Sequence, residues 1–456
     1  MRSKEQKRYL MEQEPVPKAL LKLGLPTMVG MMTSALYNLV DTYFVGTLGT
    51  SQTAAVSVAF PIGVVLLAVG LLFGTGASSY LARLLGNRQY KEANVCFSTA
   101  LATSLAAAAV VIVLMLLFLT PLLSVLGATD TIMPYAKEYA VPFIIGLAFN
   151  VFNITVNNMI AAEGATNFSM IAMLSGGVAN IILDPILILK LNMGVSGAAV
   201  ATLISRCISF GLYLYYLCSG KSNFHLSPSH FRPNGPLYRE VFKIGVPMLC
   251  FQLLSSIALG VTNLQAKAYG DAAVAGIGVA NRLISLGSMM LVGFLKGYQA
   301  FAGFNYGGKQ YDRAGKATRL MMLWGTCFCV AIGGALILFH VPLMHAFTKV
   351  DAEMISVGGK ALILNAISFM GSGYIMVYNF LFIALGRAKE GGAISVSRQG
   401  FFFLPLIFLL PLCWGLNGIL LAQPIADVLT LLMVIGMTWR KRFIPDQAGD
   451  TGNTLP

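Results

Sequence analysis

The chain has 456 residues, of which 57% are hydrophobic and only 11% charged, with a formal net charge of +13. A soluble chain of this length carries roughly twice that charged fraction, so a soluble domain is excluded. The basic surplus suggests nucleic acid, but its distribution along the chain argues for membrane orientation instead.

Twelve apolar runs follow one another near 23–46, 54–80, 95–118, 134–162, 168–190, 196–218, 243–266, 273–302, 317–340, 353–385, 392–414 and 416–439. Each is long enough to cross a bilayer, which takes about 20 residues. Gly and Pro inside continuous apolar runs point to helices, not to the alternating strands of an outer-membrane barrel. The expected fold class is an all-α polytopic membrane protein with twelve transmembrane helices. A charged stretch of some twenty residues leads into the first span, without the pattern of a cleavable signal peptide. Seven cysteines lie in or beside apolar runs with no CxxC spacing, and read as buried structural thiols.

Polar residues then stand out span by span. Span 1 carries Ser34, Tyr37, Asn38 and Asp41 along one face. Span 4 carries Asn153 and Asn157 and ends at Glu163; span 5 carries Met173, Asn180 and Asp184-Pro185; span 6 carries Thr202 and Arg206. In the second half, span 8 holds Arg282 and Lys296, and span 12 holds Asp427. Asp427 and Arg206 are repeat equivalents, and a structural ion pair with another span, for Asp427 through Arg282 or Lys296, is expected over a coupling role.

With the N-terminus placed in the cytoplasm, 23 Lys and Arg fall in cytoplasmic segments, including Arg387, Lys389, Arg398 and the cluster Arg440-Lys441-Arg442. Five face outward (Lys137, Lys190, Lys267, Lys349 and Lys360), and three, Arg206, Arg282 and Lys296, stay within spans. This asymmetry follows the positive-inside rule and places both termini in the cytoplasm. The lipid bilayer is therefore the expected partner, and nucleic acid is not.

An internal repeat runs at a constant offset of 221. It maps Lys22-Leu23-Gly24-Leu25-Pro26 onto Lys243-Ile244-Gly245-Val246-Pro247, and also pairs Gly86 with Gly307, Pro121 with Pro342, Asp130 with Asp351 and Gly194 with Gly415. The halves are an N-lobe, 1–220, and a C-lobe, 236–442, joined by a polar cytoplasmic linker, 221–235, and followed by a polar tail, 443–456. Six spans per half make the repeat parallel, an architecture that leaves a substrate cavity between two lobes. The repeat keeps the scaffold but not the acids: Asp41 maps to Thr262, Asp184 to Pro405, Asn180 to Phe401 and Thr202 to Gln423.

Ionisable groups inside spans are by default parts of a pathway or an ion site. At a rise of about 1.5 Å per residue, Asp41, Asp184 and Thr202 each lie about 9 Å below the outer surface, on three helices. Asn180 and Asp184 stand at i, i+4 on one face. Pro185 cannot donate to the Ile181 carbonyl, which leaves a further acceptor. Such oxygens suit Na⁺, and the same acids could equally carry a proton. The central cavity is expected to be lined by Ser34, Tyr37, Asn38, Asn153, Asn157 and Met173, with Met31, Met32, Met170, Phe149 and Phe152 as further candidates. No nucleophile–base pair or metal-ligand cluster marks an enzyme, and no cofactor is expected. Gly303 to Gln310 only approximates a phosphate-binding loop; it ends a membrane helix and lacks the hydroxyl for Mg²⁺.

Together these residues resemble the multidrug and toxic compound extrusion (MATE) transporters, bacterial branch, over residues 15–440. The marks are Gly24-Leu25-Pro26, Val40-Asp41-Thr42-Tyr43-Phe44-Val45-Gly46, the paired loops after spans 2 and 8, Asn180 with Asp184-Pro185, and Gly303-Phe304-Asn305-Tyr306-Gly307. The resemblance implies a V-shaped two-lobe bundle, monomeric, in the bacterial inner membrane. It implies efflux of cationic, often aromatic compounds in exchange for H⁺ or Na⁺. It also implies an N-lobe cation site of Asp41, Asn180, Asp184 and Thr202, with the Ala198 carbonyl as a fifth ligand. The chain departs from some relatives in having no acid on span 7 and only Glu353, at the outer end, on span 10. The nearest alternative is a lipid-linked oligosaccharide flippase of the same superfamily, which needs a more basic central cavity than three intramembrane cations provide.

Overall fold

The computed structural model describes residues 2–347, 352–439 and 443–444. The first half is built from α1 (Arg2–Glu12), α2 (Val16–Gly46), α3 (Thr50–Gly86), α4 (Tyr90–Leu117), α5 (Leu119–Val125), α6 (Met133–Ala162), α7 (Thr166–Pro185) and α8 (Gly194–Cys218). The second half comprises α9 (Gly235–Lys267), α10 (Asp271–Gly307), α11 (Tyr311–Leu338), α12 (His340–Phe347), α13 (Ala352–Leu385), α14 (Ala388–Val396), α15 (Phe403–Trp414) and α16 (Leu416–Thr438). Among the described residues there is no strand, as expected where lipid forces the backbone to satisfy its own hydrogen bonds. Among the described residues, twelve helical segments are long and apolar enough to cross a membrane; α14 and α15, joined through a π-helical stretch at Ser397–Phe402, form one of them. Lys349, Asp351, the Arg440-Lys441-Arg442 cluster and the tail from 445 onward lie outside the described residues.

The offset of 221 recurs in the helix ends. Both ends of α3 and α10, and both ends of α4 and α11, differ by this number, and the short helix α5 begins 221 residues before α12. Even the tight loops agree: Arg88 and Lys309, one offset apart, take φ of 60° and 57° after the ends of α3 and α10.

Two lobes, α2–α8 and α9–α16, meet along α2 against α10 and α3 against α9. The meeting points cluster at the end of the spans that carries the basic loops. There a Cβ added to Gly297 would lie 2.5 Å from the Leu23 carbonyl carbon and 2.6 Å from the Gly24 nitrogen. Its repeat equivalent Gly76 abuts the Val241 carbonyl in the same way. Only glycine lets membrane helices approach so closely. Across the same seam Arg83 pairs with Glu240 at 2.9 Å.

The N-terminal segment, read from sequence as a polar tail, folds into α1 and lies across both lobes. Its Lys7 pairs with buried Glu163 at 3.1 Å and donates to the Tyr216 hydroxyl at 2.9 Å, both in the N-lobe. Burial pulls Lys7 below the usual lysine range, with Glu163 opposing the shift. At the other end, Arg313 of the C-lobe donates to the Met11 carbonyl at 3.3 Å and the Glu14 carbonyl at 2.9 Å. A polar helix gives no apolar signal, which is why hydropathy passes over it.

Arg398 corrects the charge count. It lies ten residues inside the span Ala388–Trp414, not in a cytoplasmic loop, and its side chain is only 16% exposed. Moving one residue leaves the asymmetry of the basic loops intact.

Candidate cation site

Asp184 occupies the last turn of α7 and is fully buried. After Pro185 the backbone widens into a π-helical turn, Ile186–Lys190, closed by the Leu191 amide donating to the Ile186 carbonyl at 2.9 Å. One turn earlier, Asn180 donates from Nδ2 to Asp184 Oδ1 at 3.2 Å. The i, i+4 spacing therefore produces the contact it suggests.

Small residues let α7 reach its neighbours. A Cβ on Gly177 would meet Thr33 of α2 at 2.7 Å, and one on Gly176 would meet the Ser205 carbonyl of α8 at 3.0 Å. Wedged between these helices, α7 brings Asp184 close enough to Asp41 for the two charges to act on each other. Thr202 of α8 is 9% exposed and Ala198, one turn before it, is fully buried.

Three acceptors in this pocket, Asp41 Oδ1, Asn180 Oδ1 and Asp184 Oδ2, are buried with no hydrogen-bond donor among the described residues. An unsatisfied buried polar atom costs about 1–3 kcal/mol. A small hard cation or a proton is the species that such oxygens accommodate.

The face of α2 read from sequence as continuous is divided. Tyr37 lies against Gly177 inside the lobe, and Asp41 is half-buried beside it. Asn38 is exposed and donates to the Ser34 carbonyl at 2.7 Å, while Ser34 donates to the Gly30 carbonyl at 3.3 Å. Asn157 is engaged in cross-links: its Oδ1 accepts from the Ser169 hydroxyl and from the Tyr213 hydroxyl at 3.1 Å. Met173 packs its sulfur against Gly30 between α7 and α2. Asn153 donates to the Arg206 carbonyl at 2.9 Å, with its own oxygen unpartnered among the described residues.

Tyr139 was missed from sequence. It is 4% exposed, stacks on Phe143 at 5.1 Å, and is close enough to Asp41, Asp184 and Arg206 for their charges to bear on its phenol. The depth arithmetic could have found it, since six residues into α6 is also about 9 Å. Arg206 lies over the Phe143 ring at 5.0 Å with Nη1 buried, and faces Asp41, Tyr37 and Tyr139.

Contrary to the sequence expectation, Asp427 does not pair with Arg282 or Lys296. Arg398 holds it at 2.7 Å, Gln423 donates to its Oδ1 at 2.8 Å and Ser368 to its Oδ2 at 3.1 Å. The π-helical turn carrying Arg398 adds an extra residue to the helical repeat and re-aims the side chains around it. Straight-helix geometry gives no access to that contact. Arg282 and Lys296 make no ion pair or hydrogen bond with another described residue.

The MatE family model matches residues 26–186 and 247–435, one segment in each lobe. The chain is 28% identical over 455 residues to the multidrug export protein MepA of Staphylococcus haemolyticus, covering 98% of each. It is also 28% identical over 451 residues to MepA of Staphylococcus aureus strain NCTC 8325 / PS 47, covering 97% of this chain and 98% of that one. Among solved structures, a MATE transporter in complex with MaL6 superposes with a TM-score of 0.89 at 26% identity, over 94% of this chain and 96% of that one. An outward-facing multidrug resistance MATE family transporter matches at 0.88 with the same identity and coverage. With most of both lobes matched in order, the chain belongs to the MatE family of membrane transporters.

Proposed function

We propose that the protein is a secondary multidrug efflux antiporter, exporting cationic and aromatic compounds in exchange for inward H⁺ or Na⁺ by alternating access. It works as a monomer in the bacterial inner membrane with both termini cytoplasmic. The observation that carries this reading is the trio of buried, unpartnered acceptors on Asp41, Asn180 and Asp184. A pocket that is short of positive charge in one lobe only is built to be loaded and unloaded. Thr202 and the Ala198 carbonyl complete the oxygen set on α8, and Tyr139 is a buried neighbour of both carboxylates.

The coupling runs through α2. One end of this helix forms the lobe seam at Leu23, Gly24 and Met28, and the other end carries Asp41. Neutralising Asp41 and Asp184 removes the repulsion between α2 and α7, so loading biases the helix whose far end holds the lobes together. The names of the similar proteins, a multidrug export protein and multidrug resistance transporters, support the substrate class. Ethidium efflux from proteoliposomes, under pH and Na⁺ gradients imposed separately, tests the reading. At least one gradient is expected to drive efflux, and ethidium movement indifferent to both would refute antiport.

A further inference from the structure

In its first half α10 is exposed at Ala275, Arg282, Ser285, Leu286 and Met289. Ala275 and Arg282 are two turns apart, and Arg282, Ser285 with Leu286, and Met289 follow at one-turn steps, so they form one stripe. Extended by a turn, the stripe reaches Gly293, where an added Cβ would lie 2.7 Å from the Met28 Cα, and then Gly297 against Leu23 and Gly24. The stripe therefore points at the opposite lobe throughout. Where the lobes touch it is glycine; where they part it is exposed and lines the inter-lobe cleft.

Arg282, Met289 and Lys296 are seven residues apart, which keeps them on one face to within about 20° per step. Lys296 thus lies at the floor of the cleft, half-buried beside the glycine seam, and Arg282 about 21 Å nearer the mouth along the helix axis. Neither has a partner among the described residues. A charge in a span faces a partner or a water-filled cavity, not lipid. The third intramembrane cation of this lobe, Arg398, is by contrast fully engaged by Asp427. The acids, Asp41 and Asp184, belong to the other lobe, where Asp41 is half-buried and Asp184 fully buried, so the two lobes carry unpaired charge of opposite sign.

We infer that Lys296, with Arg282 as a station nearer the mouth, forms an anion subsite that selects amphiphiles carrying a carboxylate beside their cationic aromatic body. This rests on the antiporter reading and makes zwitterions the favoured members of its cationic substrate class. An unpaired ammonium at the floor leaves a simple cation such as ethidium the weaker substrate and attracts the carboxylate end of a zwitterion, whose cationic end then lies toward the N-lobe.

Rhodamine B and its ethyl ester share one cationic xanthene and differ only in the free carboxylate, so their efflux from proteoliposomes isolates the subsite. Wild-type protein is expected to show a KM at least tenfold lower for the acid than for the ester. Lys296→Gln should raise the KM for the acid about tenfold and leave the ester unchanged; Lys296→Arg should retain the preference; Arg282→Gln should weaken it about threefold. Equal handling of acid and ester by wild type, or equal shifts for both in Lys296→Gln, overturns the inference. Loss of both activities in Lys296→Gln, with Lys296→Arg intact, makes the lysine structural and also overturns it. Failure of wild type to move either dye under any imposed gradient refutes the antiporter reading itself.

Discussion

In the C-lobe, every oxygen of Asp427 is taken: Arg398, Gln423 and Ser368 surround it in a closed ion pair. At the matching place in the N-lobe, 221 residues earlier, stands Arg206 with an unpartnered buried nitrogen, and in the same lobe Asp41, Asn180 and Asp184 each keep an oxygen without a donor among the described residues. Gln423, which helps to close the C-lobe pair, is the equivalent of Thr202. One scaffold thus holds buried charge in two ways. A satisfied pair is fixed structure, since breaking it leaves a bare charge in low dielectric. An unsatisfied pocket is destabilised as it stands and gains from any cation that enters.

This contrast can be broken from either side. Asp184→Asn should have the largest effect on function, lowering ion-driven efflux at least about a hundredfold, or about 2.7 kcal/mol, with little loss of thermal stability. Asp427→Asn should do the reverse, costing about 3–5 kcal/mol of stability because Arg398 stays buried without its partner. Thermal unfolding in detergent reads that loss, and paired replacement by Arg398→Met with Asp427→Leu should recover most of it. If Asp427→Asn abolished transport while melting normally, the C-lobe pair would be part of the exchange and the contrast would be wrong.

The seam supplies a symmetric control. Gly76→Ala and Gly297→Ala each force a methyl against backbone and should cost about 1–3 kcal/mol apiece. Both should lengthen spin-label distances between the lobes at the basic-loop end by similar amounts, because the repeat makes them equivalents. Unequal shifts would show that the asymmetry of the lobes extends into the floor. The smallest effect is expected from Thr202→Ala, a severalfold weakening of apparent cation affinity with unchanged maximal rate, measured by titrating the driving ion.

The sequence made the spans and the repeat legible because lipid leaves the backbone few choices and because a fixed offset survives divergence. It made Asn180 and Asp184 legible because i, i+4 spacing on a helix is a contact. The partner of Asp427 was not legible, since Arg398 reaches it from a π-helical turn that no apolar pattern announces. Tyr139 was hidden by its chemistry: an aromatic near a span end reads as an interfacial anchor. The single polar face assigned to α2 was too coarse, because α7 wedges against Tyr37 and leaves Asn38 exposed.

The central claim is that the unpartnered N-lobe oxygens, and not the closed C-lobe pair, hold the coupling ion. Ion release on substrate binding, followed in purified detergent-solubilised protein with a pH indicator and with radioactive Na⁺, tests it directly. The account predicts that ethidium displaces an ion from wild type and from Asp427→Asn but not from the double variant Asp41→Asn, Asp184→Asn. Undiminished release from that double variant would contradict it.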